Sequence, residues 1–349
     1  MKIINLFLKI SLIIVSTLII SCVQQKQERV PIRIGWQVPL ATQGQVVQVL
    51  KKTNLLEQHG LEGKFQSFSY GGPQSEAALS GKLDVIFVGD QPVVNLISRG
   101  GKWKIVSRLF YTRTAIMVPP KSNITQMEQF KGKTIASPFG SVAHREVVLK
   151  EQAAGLNPDK DVTNLNLDIL EISNLVQAGG EKTWGKIHGV GVWEPSTSLF
   201  ERNNLAHIVH KIITLGVVAI SDDFLEKYPE ATTQFLVALM KAWTYFVTYQ
   251  DQVNQWYIKD ARLAYSRPEI LQSASLIDPN INAKTIQEID LRLSPDNIKT
   301  LEVAAQWAFE RGFTKTLANM SQAVNQEFLS NASAVIEKDG FDIKTVEIK

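Results

Sequence analysis

The 349 residues contain a single cysteine, Cys22. This excludes an internal disulfide framework and any cysteine-rich zinc or iron–sulfur site. An excess of one charge is also missing. Thirty-seven Lys+Arg stand against 34 Asp+Glu, a formal net charge of +3, and the basic residues form no stripe. A nucleic-acid interface is therefore not expected. Glycine (21) and proline (13) are too sparse for a collagen-like or low-complexity chain. With 44% hydrophobic and 20% charged residues the composition is ordinary globular, and the length predicts about two domains with large cores. No tandem repeat is found.

Enzyme motifs are scarce as well. Gly132-Lys133-Thr134 supplies only the end of a phosphate loop, and Met127 stands where its first glycine should be. Gly189-Val190-Gly191 begins a dinucleotide fingerprint, but Glu194 takes the third glycine position, where a carboxylate would repel pyrophosphate. There is no Gly-x-Ser-x-Gly elbow, no His-Glu-x-x-His and no calcium loop. His207 and His210 fall on a predicted strand, where their spacing points them to opposite faces. Nothing singles out an acid/base pair of carboxylates. No catalytic residue, cofactor or metal is expected.

One long apolar run is present. Lys2 and Lys9 precede Ile10 to Ile20, a basic start followed by an apolar stretch too short to span a bilayer comfortably. This predicts a secretory signal over 1–21. An uncleaved anchor helix is the alternative. The run ends in Ile19-Ile20-Ser21-Cys22, which resembles the lipobox of bacterial lipoproteins. The resemblance implies cleavage before Cys22 and acylation of its thiol, with 22–30 as a polar tether. Loss of Lys2 and Lys9 would leave 35 basic and 34 acidic residues, a net charge of about +1. The apolar stretch 235–247 includes Lys241 and reads as an amphipathic helix.

Beyond residue 31 strands and helices alternate. Strands are predicted at 32–35, 65–68, 85–88, 105–109, 115–118, 133–137, 167–171, 189–193, 206–213 and 216–220. Helices are predicted at 42–58, 74–80, 92–98, 125–130 and 141–154, with a turn at 175–178. From 222 the chain is mainly helical, at 222–227, 230–249, 254–265, 283–291 and 295–311. Continuous apolar strands separated by helices predict an α/β fold with a buried, mostly parallel sheet. Two such units and a helical tail follow, with chain crossings near 118–121 and 215–219.

Four segments stand out together: Glu76 to Pro92, Val118 to Ile124 with Gln129 to Ala136, Gly140 to His144 and Gly191 to Pro195. Within them Glu76-Ala77-Ala78-Leu79-Ser80-Gly81-Lys82-Leu83-Asp84, Gly140-Ser141-Val142-Ala143-His144 and Trp193-Glu194-Pro195 carry a family signature. In this order they resemble the solute-binding proteins of ABC importers for aliphatic sulfonates, taurine, nitrate and thiamine precursors, over about 32–254. The resemblance implies a type II periplasmic-binding-protein fold: two α/β lobes, two hinge strands and a helical C-terminal tail. Lobe 1 would comprise 31–117 plus 216–349, and lobe 2 would comprise 118–215. It further implies a monomeric, lipid-anchored protein on the extracytoplasmic (periplasmic) face of a bacterial membrane. Such a protein binds a small solute and docks on an ABC permease with its ATPase. The same family also resembles thiamine-pyrimidine synthases and cofactor-free menaquinone-pathway enzymes, and a ligand-sensing module is a further alternative.

Candidate solute contacts follow from loop positions. Gly140 and Ser141 open a helix whose first amides lack partners, which suits an anion. His144 lies one turn further in. Gly89, Asp90 and Gln91 follow a strand, as do Thr42 and Gln43, which are neutral donors; loops at strand C-terminal ends are where open α/β sheets bind ligands. Trp193 ends another strand. Arg113 lies outside the matched motifs, and its guanidinium suits a sulfonate or carboxylate if it faces the cleft. Each has a plain structural alternative: Ser141 or Asp90 as helix caps, His144 and Trp193 as packing, Arg113 as surface. Glu194 is expected to pair with a cation or with solvent. The aromatic residues at 243–257 read as helix packing.

Overall fold

The computed structural model describes residues 28–261 and 267–349. The signal segment, Cys22 and most of the tether lie outside the described residues. Eight strands form one sheet: β1 (Val30–Gln37), β2 (Leu61–Phe68), β3 (Val85–Gly89), β4 (Trp103–Val118), β5 (Thr134–Ser137), β6 (Thr163–Asn166), β7 (Gly189–Trp193) and β8 (His207–Ser221). Their spatial order is β2-β1-β3-β8-β4-β7-β5-β6.

The long antiparallel pair of β4 and β8 organises the molecule. It runs from Trp103 opposite Ser221 to Val118 opposite His207. Neighbours change half-way along. β3 pairs only with the C-terminal part of β8, from Ile220 to Gly216. β7 pairs only with the C-terminal part of β4, from Thr114 to Met117. Two half-sheets therefore share two strands, and the result is a two-lobed α/β fold. Parallel pairing of β1 with β2 and β3, and of β5 with β6 and β7, completes the two halves. At the change of lobe β8 carries Gly216. A Cβ there would stand 2.1 Å from the Phe110 ring, so only glycine lets the two strands cross so closely.

Several local expectations are corrected. The separate strands at 105–109 and 115–118 are one strand, as are those at 206–213 and 216–220. Polar residues at the lobe junction interrupt the apolar pattern without interrupting the ladder. No strand forms at 167–171. Asp168 instead caps the helix Ile169–Gln177, accepting the Leu170 N–H at 2.8 Å. The strand lies earlier, in the mostly exposed and polar β6, where no apolar signal marks it. In place of a helix at 283–291 stands one short 3₁₀ turn, Ile286–Glu288, preceded by another at Pro279–Asn282. The helical tail is present. Its longest helix, Pro229–Thr248, buries Trp243, Tyr245 and Phe246, whereas Tyr249 beyond its end is exposed. No helix among the described residues is long and apolar enough to cross a membrane.

One buried carboxyl ties the helix Val142–Ala153 to the edge strand β6. Glu151 accepts from Asn164 Nδ2 at 2.9 Å, while its other oxygen and the Asn164 carbonyl lack partners. Burial pushes the Glu151 carboxyl up to about 7. A folded pKa above the unfolded one means that the native state holds the extra proton, so stability falls as pH rises from about 4.5 through 7. Glu151→Gln offers an N–H to the unpartnered Asn164 oxygen. We expect it to stabilise the protein by about 1–2 kcal/mol at pH 8 and by almost nothing at pH 5. Urea unfolding at both pH values checks this, and an equal shift at the two would contradict it.

Candidate functional site

The C-terminal ends of β1, β3 and β7 and the turn after β5 converge between the lobes, where open α/β sheets present their loops. They surround a narrow cavity, a space of about 380 Å³ counted with its opening to solvent, of which only about 30 Å³ lies clear of the walls. Gln37, Leu40, Gly71, Gly89 and Pro92 wall it from one lobe, and Ser141, Val142 and Trp193 from the other. The crossing strands supply the floor: Phe110, Thr112, Thr114, Thr214 and Leu215.

Three helices point their N-termini at this space. Gly71 begins the helix Gly71–Leu79, Gly89 is the N-cap of Asp90–Ser98, and Ser141 is the N-cap of Val142–Ala153. Each brings first-turn N–H groups without intrahelical acceptors and the positive end of a helix dipole. Gly140, at φ +77°, makes the turn that aims the third. The Ser141 hydroxyl accepts the His144 N–H at 3.2 Å and keeps its own O–H free to donate. On the floor, Thr114 Oγ1 and Thr214 Oγ1 lie 2.9 Å apart, and the buried Thr112 hydroxyl has no protein partner. Among the described wall residues none is titratable. The site can hold an oxyanion with neutral donors and helix ends, and it places no protein acid or base beside it.

Residues 51–253, more than half of the chain, match the family model described as NMT1/THI5 like. The chain belongs to the NMT1/THI5-like family. The taurine-binding periplasmic protein of Escherichia coli (strain K12) is 23% identical over 297 residues, covering 78% of this chain and 85% of that protein. The alkanesulfonate-binding protein SsuA from Xanthomonas axonopodis pv. citri, solved bound to MOPS, superposes with a TM-score of 0.69 at 20% identity. That match covers 85% of this chain and 99% of SsuA. The desulfurization enzyme DszB shares the fold too, with a TM-score of 0.62 at 14% identity over 87% of this chain and 99% of that one.

Within this NMT1/THI5-like frame, Gly89, Ser141 and Trp193 stand on the cavity wall. Trp193 also donates from Nε1 to the Pro39 carbonyl at 2.8 Å, spanning the two lobes. The other candidates stand off the wall. Gly140 sits behind Ser141, its N–H donating to His144 Nδ1 at 3.3 Å. The His144 ring stacks on Phe139 at 4.1 Å and meets Trp307 and Phe313 edge-on, at 5.7 and 5.6 Å. Burial pushes its pKa down to about 4, with Arg311 adding to the effect, so the ring is a neutral packing element. Both Asp90 oxygens accept from Arg145, at 3.2 and 3.1 Å, and Gln91 Oε1 accepts from the same guanidinium at 3.1 Å.

Thr42 caps the helix Gln43–Lys52, and its N–H is taken by Gln45 Oε1 at 2.6 Å. Gln43 Oε1 accepts the Gln37 N–H at 2.6 Å, which leaves its buried Nε2 without a partner. Arg113 pairs with Glu194 and Glu201, both at 2.7 Å, and so answers the expected cation for Glu194. Burial raises the Glu194 carboxyl, and Arg113 opposes that shift. The threonines of the floor were not among the sequence candidates. Their signal was there: Thr112 and Thr114 alternate, and alternation places both on one face of a strand.

Proposed function

We propose that this protein is the extracytoplasmic solute-binding component of an ABC importer. It captures a small oxyanion-bearing solute, such as a sulfonate, taurine or nitrate, by closing two lobes over it. It then delivers the solute to a permease with its ATPase. Acylation of Cys22 would tether a monomeric body to the membrane. The lobes would divide within β4, near Tyr111–Thr112, and within β8, near Thr214–Leu215.

One observation carries the reading: three helix N-termini border a single interlobe cavity whose floor includes Thr112, a residue with a buried and unpartnered hydroxyl. A delocalised anion with several acceptor oxygens fits such a set, because each donor is already oriented and desolvated. The taurine- and alkanesulfonate-binding relatives support the same class of solute. The fold shared with DszB favours no catalytic reading on its own, since the wall supplies no proton-transfer group.

Titration calorimetry with MOPS, ethanesulfonate, taurine and nitrate tests the proposal. Binding of at least one is expected, and silence from all four would overturn it. Ser141→Ala should weaken the bound probe about 10- to 100-fold, the contribution of one hydrogen bond to a charged group. Ser141→Asp keeps the helix cap and places a carboxylate against the anion. Binding should vanish in that variant while the fold remains. Unchanged binding in both variants would remove Ser141 from the site.

A further inference from the structure

The two helix N-termini that flank the cavity from opposite lobes are joined by a buried seam of polar side chains. Arg145, one turn into Val142–Ala153, donates Nη1 and Nη2 to the two carboxylate oxygens of Asp90, at 3.2 and 3.1 Å. The side chains are 4% and 0% exposed. Nη1 also reaches Gln91 Oε1 at 3.1 Å. Gln91 Nε2 donates to Asn95 Oδ1 at 2.8 Å, and Asn95 Nδ2 donates to the Gly140 carbonyl at 3.3 Å. The bonds therefore cross the lobe boundary twice, at Arg145 and at Gly140. None of these side chains walls the cavity, yet their neighbours Gly89, Ser141 and Val142 do.

We propose that Arg145 and Asp90 form an interlobe latch that sets how long a captured solute stays. The inference rests on the solute-capture reading above. Parting the lobes separates the two charges and returns both to water. Hydration in the open form and a bidentate buried pair in the closed form nearly balance. Such a pair adds little net stability of its own, so a solute's contacts can tip the equilibrium either way. Removing one partner breaks the balance, because closure then buries the other charge without its bidentate partner. Without Asp90, Arg145 keeps only the longer contact of its Nε with the buried Glu146 carboxylate, at 3.5 Å.

The test uses the full chain with MOPS as probe. Asp90→Asn and Arg145→Gln should each speed MOPS dissociation about 10- to 100-fold, with association changed less than about threefold. The melting temperature should fall in the MOPS-bound form and hold in the unliganded form. The double variant, with both charges gone, should dissociate more slowly than either single one. Equal loss of melting temperature with and without MOPS would show a plain folding role and overturn the latch. So would additive effects in the double variant. If MOPS and the other probes leave the wild type untouched, the capture reading fails and small-angle scattering still judges the latch. A radius of gyration about 1 Å larger in the single variants than in the wild type, itself near 20 Å for a compact chain of this length, upholds it. Equal radii overturn it.

Discussion

Trp193→Ala is expected to cost about 3–5 kcal/mol of stability and to raise the dissociation constant for MOPS at least about 100-fold. Every residue of β7 is buried, and Trp193 at its end is only 5% exposed. The indole does two jobs. Its face closes the cavity, so alanine would open the wall and admit water to the helix ends that face the solute. Its Nε1–H spans the lobes to Pro39, and one residue on the Ala41 N–H reaches the Glu194 carbonyl at 3.2 Å. Alanine leaves the Pro39 carbonyl unpaired and thins this side of the interlobe contact. Trp193→Phe separates the two jobs. It keeps an aromatic wall and loses only the hydrogen bond, so it should cost about 1–2 kcal/mol. Urea unfolding paired with calorimetry reads both quantities. A Trp193→Ala variant that binds MOPS like the wild type would show that the solute does not sit in this cavity.

The architecture was legible in the sequence because it is carried by local signals. Apolar strands ending in Gly or Trp, followed by helices, announce the parallel parts of the sheet and place their loops. Gly89, Ser141 and Trp193 reach the cavity wall for that reason: each sits at a strand end or a helix start. The antiparallel pairings of β8 with β3 and β4 and of β4 with β7, which make the sheet mixed, carry no such local signal. What was not legible depends on distant partners. Asp90 looks like any residue after a strand until Arg145, 55 positions on, takes both its oxygens. His144 follows the family pattern, yet Trp307 and Phe313 decide its surroundings. Arg113 has the right chemistry for an oxyanion but is taken by Glu194 and Glu201. The floor threonines were hidden differently. They occupy the polar junction of two long strands, and that junction read as a break. Polarity within a buried strand marked the site, where the strand itself tolerates hydroxyls because they face a cavity instead of a core.

Asp278→Ala is expected to destabilise the protein by about 3–5 kcal/mol, and by more than Arg108→Met. Asp278 is fully buried between the 3₁₀ turns of the tail and the junction region of β4. Its Oδ2 accepts from Arg108 Nη1 and from the Tyr111 N–H, both at 2.6 Å, and its Oδ1 accepts the Asn280 N–H at 2.9 Å. Arg108 is 3% exposed, lies 4.5 Å over the Tyr111 ring and also donates to the Asp290 carbonyl. Alanine at 278 strands a buried guanidinium and two backbone N–H groups together. Arg108→Met removes the charge that most needs a partner and leaves a carboxylate that still accepts two amides. A double variant, Arg108→Met with Asp278→Leu, should stay destabilised despite its apolar filling, because the Tyr111 and Asn280 amides remain unpaired, at about 1–3 kcal/mol each. Tyr111 lies between the strand bulge at Arg108/Phe110 and the threonines of the cavity floor. Losing its anchor should therefore weaken MOPS binding even in the folded fraction. Unfolding midpoints and calorimetry on the same samples separate the two effects, and wild-type stability in Asp278→Ala would refute the role assigned to this carboxylate.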